Sequence, residues 1–156
     1  MYLVSACLLG MKTRFDGGSN FLQELVSFAR KGLLIPVCPE QLGGLTTPRL
    51  PAEIQGQGGG AAVLNRSPGE KQLAVVVNKE GENVTEAFLK GARETLRLAR
   101  LMQVKGAILK QGSPSCGSLY IYDGSFQKRK IEGMGVTAAL LASGGFALFD
   151  EFNLPF

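Results

Sequence analysis

Histidine is absent from the 156 residues of this chain. No Ser-His-Asp triad, Cys-His dyad or imidazole-rich zinc site can therefore form, and any metal must be held by cysteine, carboxylate or non-protein ligands. Cysteine is scarce: Cys7, Cys38 and Cys116 are the whole supply. An odd number at such wide spacing argues against a secreted disulfide scaffold, and the lack of Cys-x-x-Cys argues against a redox dithiol. Long apolar runs are also missing. The N-terminal run is soon interrupted by Lys12, Arg14 and Asp16, and it lacks the charged region and cleavage site of a signal peptide. These absences lead us to expect a soluble, cytoplasmic protein with reduced thiols and no membrane contact. Charge is modest, with Lys and Arg exceeding Asp and Glu by 17 to 13 for a formal +4. That balance favours anionic or polar partners yet falls short of the dense basic patches of a dedicated nucleic-acid binder. Composition says nothing about oligomeric state.

What is present reads as one α/β domain over residues 1–156, a size that can bury roughly two-thirds of the surface its unfolded chain exposes. Runs typical of buried strands fall at residues 2–6, 33–37, 106–109 and 146–149. Helical patterns alternate with them. The first is expected over residues 21–31, with Asn20 as cap, Phe21, Leu22, Leu25, Phe28 and Ala29 at helical spacing, and Gly32 as stop. Pro39 starts one short turn after Cys38. The second long pattern runs over residues 84–102, capped by Asn83 with Glu86 in a capping box. Its buried stripe is Phe88, Ala92, Leu96, Ala99 and Met102, and Lys90, Arg93, Arg97 and Arg100 mark a solvated face. A third helix opens at Gly135-Val136-Thr137 and ends at Gly144-Gly145. The preceding Gly133-Met134-Gly135 lacks the Walker lysine and the third glycine of a dinucleotide fingerprint. Residues 46–53 read as an extended, proline-stiffened segment over the sheet edge and 55–60 as a flexible stretch. Residues 61–64 and 73–77, separated by 65–70, read as a hairpin or lid. The whole predicts a three-layer α/β sandwich around a largely parallel, Rossmann-like sheet.

Each cysteine follows one of the buried-type runs: Cys7 ends the first, Cys38 the second, and Cys116 lies in Gln111-Gly112-Ser113-Pro114-Ser115-Cys116-Gly117 after the third. If the strands are parallel, all three thiols lie at the carboxyl edge, where open α/β sheets bind ligands. A single cysteine there is most simply a small packed hydrophobe. Three in one relation to their strands suggest a shared site. Two metal chemistries suit three thiolates: zinc with an open fourth position, or an iron-sulfur cluster with one iron lacking a protein ligand. A module that binds RNA or senses redox state is the non-enzymatic alternative.

Several runs together carry a resemblance: Ser5-Ala6-Cys7-Leu8-Leu9-Gly10, Arg14-Phe15-Asp16-Gly17, Val37-Cys38-Pro39-Glu40 with Gly43-Gly44-Leu45, Pro48-Arg49, and Ser113-Pro114-Ser115-Cys116-Gly117. Asp123-Gly124 with Phe126, and Gly135-Val136-Thr137-Ala138-Ala139, continue it. The chain resembles a bacterial family long known only as a domain of unknown function, one that includes the thiouracil desulfidases. Phe15, where the family more often has tyrosine, and Asn83, where it tends to have aspartate, are mild departures. The resemblance implies a 4Fe-4S cluster held by Cys7, Cys38 and Cys116, with the fourth iron open to the sulfur of a thiolated pyrimidine. Polar addition of water to the thiocarbonyl carbon would then release sulfide without net electron transfer. Glu40, two residues beyond a ligand, is the candidate general base, against the simpler role of charge compensation at a helix N-terminus. Ser113 is the candidate donor to the ring or developing oxyanion, against a turn-capping role. Arg14, Asp16 and Arg49 are candidates for shaping the substrate pocket. The expected substrate is a free thiolated nucleobase such as 2-thiouracil; thiolated transfer RNA is the alternative.

Overall fold

The computed structural model describes residues 1–65 and 71–156. Its first half runs β1 (Tyr2–Ser5), a 3-10 turn (Ala6–Leu9), a second 3-10 turn (Gln23–Leu25), α1 (Val26–Arg30), β2 (Leu34–Val37), α2 (Pro39–Leu42), β3 (Ala52–Gly56) and α3 (Gly59–Leu64). There follow β4 (Ala74–Asn78), α4 (Thr85–Leu101), β5 (Gly106–Leu109), β6 (Tyr120–Tyr122), β7 (Lys130–Glu132), α5 (Val136–Ser143) and β8 (Ala147–Asp150). The central sheet has the order β2-β1-β5-β8, and every pairing in it is parallel.

Alternate residues of that sheet face opposite layers, as a period of two requires. Leu3, Val37, Ala107 and Leu109 pack with Ala99 of α4 and with Ala138 and Leu141 of α5. Val4, Leu34 and Ile108 pack on the other side with Leu8, Leu25 and the half-buried Phe28. Fully burying such an aliphatic side chain stabilises by about 1.5–3 kcal/mol, so both faces of the sheet are covered and the three-layer expectation holds. A second core joins Ile54, Ala74 and Val76 of the β3–β4 pair to Phe88, Leu89 and Ala92 of α4 and Val63 of α3.

Several readings of the sequence need correction, among them the flexible stretch at 55–60, whose first two residues end β3 and whose last two open α3. The hairpin is real, but its arms are β3 and β4, paired antiparallel from Ala52↔Asn78 to Gly56↔Ala74. Residues 61–64 belong to helix α3, and of the expected separator only Asn65 lies within the described residues. A four-residue apolar run does not distinguish strand from helix by periodicity, and here close packing decides. A Cβ on Gly60 would stand 2.3 Å from the carbonyl oxygen of Gly135. The first helix is shorter than expected, because the amides of Asn20 and Leu22 bond to the carbonyls of Cys7 and Leu8 at 2.9 and 2.8 Å. That attachment holds Leu22 extended, delays the helix to Val26 and leaves Phe21 53 % exposed. Helix α4 keeps its expected exposed basic face, while Met102 falls just past its end and is 41 % exposed. Asn83 accepts the amide of Thr85 at 3.0 Å. Finally, β6 and β7 pair antiparallel, a hairpin whose three-residue arms are too short to show a period. Among the described residues no helix is long and apolar enough to cross a membrane.

Helix α2, which starts directly after Cys38 and carries Glu40, is seated on α4 through two glycines. A Cβ on Gly91 would come 1.9 Å from the carbonyl oxygen of Pro39, and one on Gly43 would come 2.0 Å from that of Ala87. Alanine improves helix propensity over glycine by about 1 kcal/mol, but backbone cannot yield as a flexible side chain does. We expect Gly91→Ala to be destabilising by about 1–3 kcal/mol net, read as a lower thermal midpoint. An unchanged or raised midpoint would show that α2 can shift freely.

Candidate functional site

The last residues of β1 and β2, Ser5 and Val37, are register partners, and β5 runs parallel beside them. Cys7 and Cys38 therefore emerge within two residues of the same carboxyl edge, and the loop after β5 returns Cys116 to it. All three thiols line one cavity of about 480 Å³, together with Glu40, Arg49, Ser113 and Arg14. None is in a disulfide; Cys116 is buried, and Cys7 and Cys38 are half-buried.

The loop carrying Cys116 is wound around a buried side chain. Gln111 Oε1 accepts the amides of Ser118, Leu119 and Tyr120 at 3.1, 3.0 and 3.3 Å, while Nε2 donates to Ser118 Oγ and to Asp150 Oδ2 at 2.6 and 2.9 Å. The start of α5 closes the loop from outside: the amides of Val136 and Ala138 bond to the carbonyls of Pro114 and Ser115 at 2.8 and 3.0 Å. Those amides are thus committed to the protein and do not form a phosphate cradle. A Cβ on Gly135 would stand 2.5 Å from the carbonyl carbon of Ser115, so this crossing requires glycine.

Each polar candidate has a defined position. Glu40 is held from two sides, accepting Arg49 Nε on Oε1 at 3.1 Å and Ser115 Oγ on Oε2 at 3.0 Å. Its side chain is 15 % exposed and that of Arg49 8 %. Arg49 also donates to the carbonyls of Thr46 and Thr13 and to Thr47 Oγ1, and its Nη2 lies 4.0 Å from Cys38 Sγ. Its guanidinium is therefore occupied by protein partners. Ser113 Oγ accepts the amides of Ser115 and Cys116 at 3.2 and 3.1 Å while facing the cavity, so it caps a turn and stays available to a ligand. Arg14 lines the cavity, whereas Asp16 sits at the rim, paired with Arg14 and accepting the amide of Gly18 at 2.9 Å. The Gly18 amide and then Arg14 hold the Asp16 carboxyl below its ordinary range.

Other polar groups at the thiols were not among the candidate site residues, and Asn20, expected as a helix cap, bonds Cys7 instead. Burial pushes the Cys7 thiol up, opposed by a hydrogen bond from Asn20 and by the charge of Lys110. Burial likewise pushes Cys116 up to about 12, opposed by the hydroxyls of Ser5 and Ser115. Lys110 is fixed by Glu151 Oε1 at 2.6 Å. Position was the available signal: Ser5 ends the first strand, Lys110 follows the third, and Ser115 adjoins Cys116. The donor set fits an iron-sulfur cluster, which takes thiolate ligands, and binding it would displace the protons that burial keeps on Cys7 and Cys116.

The fold and site define an α/β protein with a three-thiol cavity at the carboxyl edge of a parallel sheet. Residues 2–153 match the family model for 2-thiouracil desulfurase, and the chain belongs to that family. It is 43 % identical over 154 residues to the uncharacterized protein YbbK of Bacillus subtilis (strain 168), covering 99 % of this chain and 97 % of that one. Among solved structures it is similar to the [4Fe-4S]-dependent thiouracil desulfidase TudS, with a TM-score of 0.82 and 39 % identity over 99 % of this chain and 92 % of the other.

Proposed function

We propose that this chain is a cytoplasmic, 4Fe-4S-dependent desulfidase that converts a free thiolated pyrimidine to the oxo base and releases sulfide by a polar, hydrolytic route. The observation that carries the reading is the meeting of Cys7, Cys38 and Cys116 on one cavity with Glu40 and Ser113. Family membership and the likeness to TudS support it. The three cysteines would hold the cluster, whose open iron would supply a soft acceptor for the substrate sulfur. Glu40 takes the proton of the attacking water, fixed for that task by Arg49 and Ser115. Ser113 hydrogen-bonds the ring or the oxygen that develops charge, and Arg14 shapes the mouth. A cavity of about 480 Å³ suits a small heterocycle. Zinc held by the same three thiolates, with an open fourth position, is the alternative cofactor.

Iron and acid-labile sulfide analysis after oxygen-free purification tests the cofactor, and sulfide release tests the substrate. We expect 2-thiouracil to be turned over at a rate that changes little between low and high salt. Activity on thiolated RNA alone, lost at high salt or on neutralising Arg93 and Arg97, would overturn the free-base assignment, since phosphate contacts weaken steeply with salt.

A further inference from the structure

A pyrimidine has polar edges and two flat apolar faces. Once its sulfur-bearing edge is turned to the cysteines, with Glu40 and Ser113 beside the reacting carbon, a face must rest on the cavity wall. Three aromatic side chains line that wall, Phe15, Tyr122 and Phe126. Two are engaged elsewhere. Phe15 has the Arg14 guanidinium over it, 5.8 Å from the ring centroid, and the Tyr122 ring packs against the loop that bears Cys116, where a Cβ on Gly112 would stand 3.3 Å from its Cε2. Phe126 is fixed through its backbone. Its φ of +57° and the +58° of Lys128 lie in the left-handed region, which residues with a side chain seldom adopt. Such residues persist only where their surroundings over-determine them, and they gather at ligand clamps. Here the restraint comes from β3. Glu53 Oε1 accepts the amides of both Gly124 and Phe126, at 3.0 and 3.2 Å, and Gln55 Nε2 donates to the carbonyl of Gly124 at 3.0 Å. A Cβ on Gly124 would stand 2.7 Å from the carbonyl oxygen of Ile54, so the turn lies directly on the strand.

We propose that Phe126 is the residue on which the pyrimidine stacks, and that Glu53 is the positioning residue that holds it there. This deepens the desulfidase reading above and rests on it. Offset stacking of two flat rings adds attraction beyond the area it buries, and it is indifferent to which group the pyrimidine carries at its edge. Phe126 therefore supplies affinity, while the cysteines, Glu40 and Ser113 address the edge that reacts. A stacked face holds substrate and oxo product alike, so losing it should fall on KM and leave kcat in place. Glu53 acts one step back. Its carboxylate takes two amides of the turn on one oxygen, in hydrogen bonds strengthened by its charge, and so fixes the turn in the left-handed conformation that places Phe126 on the cavity.

The first test removes the ring, on the cluster-loaded enzyme with 2-thiouracil. Phe126→Ala should raise KM about tenfold, the size of a lost base–aromatic stack, with iron per chain unchanged and kcat within about twofold. Phe126→Tyr, which keeps the flat face, should recover most of the loss, whereas Phe126→Leu, apolar but not flat, should not. An unchanged KM in Phe126→Ala, or full recovery by Phe126→Leu, overturns the stacking. The second test reads the turn without any turnover. In Glu53→Ala the amides of Gly124 and Phe126 should exchange with heavy water about tenfold faster, and KM should rise toward that of Phe126→Ala. Glu53→Gln, whose carbonyl oxygen can still accept, should restore most of both. The double variant of Glu53→Ala with Phe126→Ala should have a KM no higher than Phe126→Ala alone, since both changes act on one ring. Unchanged exchange in Glu53→Ala, or losses that multiply, overturns the positioning role. A wild-type enzyme with no turnover on thiolated pyrimidines counts against the desulfidase reading, and a crystal of the loaded protein soaked with uracil then decides the stacking by itself. The base should lie on Phe126; a base on Tyr122 or Phe15, or none in the cavity, overturns it.

Discussion

Cys116→Ser should emerge from oxygen-free purification with its iron and labile sulfide lost, no desulfidase activity, and a far-ultraviolet circular dichroism spectrum like that of the wild type. Iron-sulfur clusters are held by cysteine thiolates. This chain has three and no fourth to substitute for a lost one. The fold should survive for a separate reason. Cys116 is one small member of a core that also holds Leu3, Leu109, Ala138 and Leu141. A buried hydroxyl that finds a partner costs about 1–3 kcal/mol at most, against a typical domain stability of about 5–15 kcal/mol. The hydroxyls of Ser5 and Ser115 already lie beside this position and can provide that partner. Cofactor content and folding should therefore part company. Cys7→Ser and Cys38→Ser should lose iron in the same way. A variant that retained its full iron complement would show that Cys116 is not a ligand.

The convergence of the thiols was legible because parallel strands enforce it. Each buried run announced a strand by composition, and parallel pairing of β1, β2 and β5 then sends all three chain continuations to one edge. The long amphipathic helix was equally plain, since its periodicity persists over 17 residues. Residues 61–64 were misread because their character as α3 depends on the backbone of residues 134–136, far away in sequence. The late start of α1 is of the same kind: amides bonded to the turn after β1 override a helical pattern that local spacing supports.

Side-chain commitments were the least legible part of the site. Arg49 read as a residue that shapes the substrate pocket, and only its contacts with Thr13, Thr46, Thr47 and Glu40 show that its donors are engaged. Ser115 was given no role in the run between Ser113 and Cys116. Its position against Glu40, 75 residues away in sequence, follows from the winding of the loop around Gln111. No local pattern encodes that winding, because it is completed by Asp150 of β8 and by the amides that open α5.

Glu40→Gln should keep the cluster and lose about 10²-fold or more in kcat, the usual size of a general acid-base contribution. The amide preserves shape, and its carbonyl oxygen can still accept from Arg49, so the seat of α2 on α4 is left intact. It removes the proton acceptor. It also presents an N–H where Ser115 now finds a carboxylate oxygen, so the hydrogen bond between the two must reverse, with Ser115 accepting. Undiminished turnover by Glu40→Gln with a full iron complement would leave Glu40 only its ion pair with Arg49, a structural link between α2 and the segment that carries Arg49.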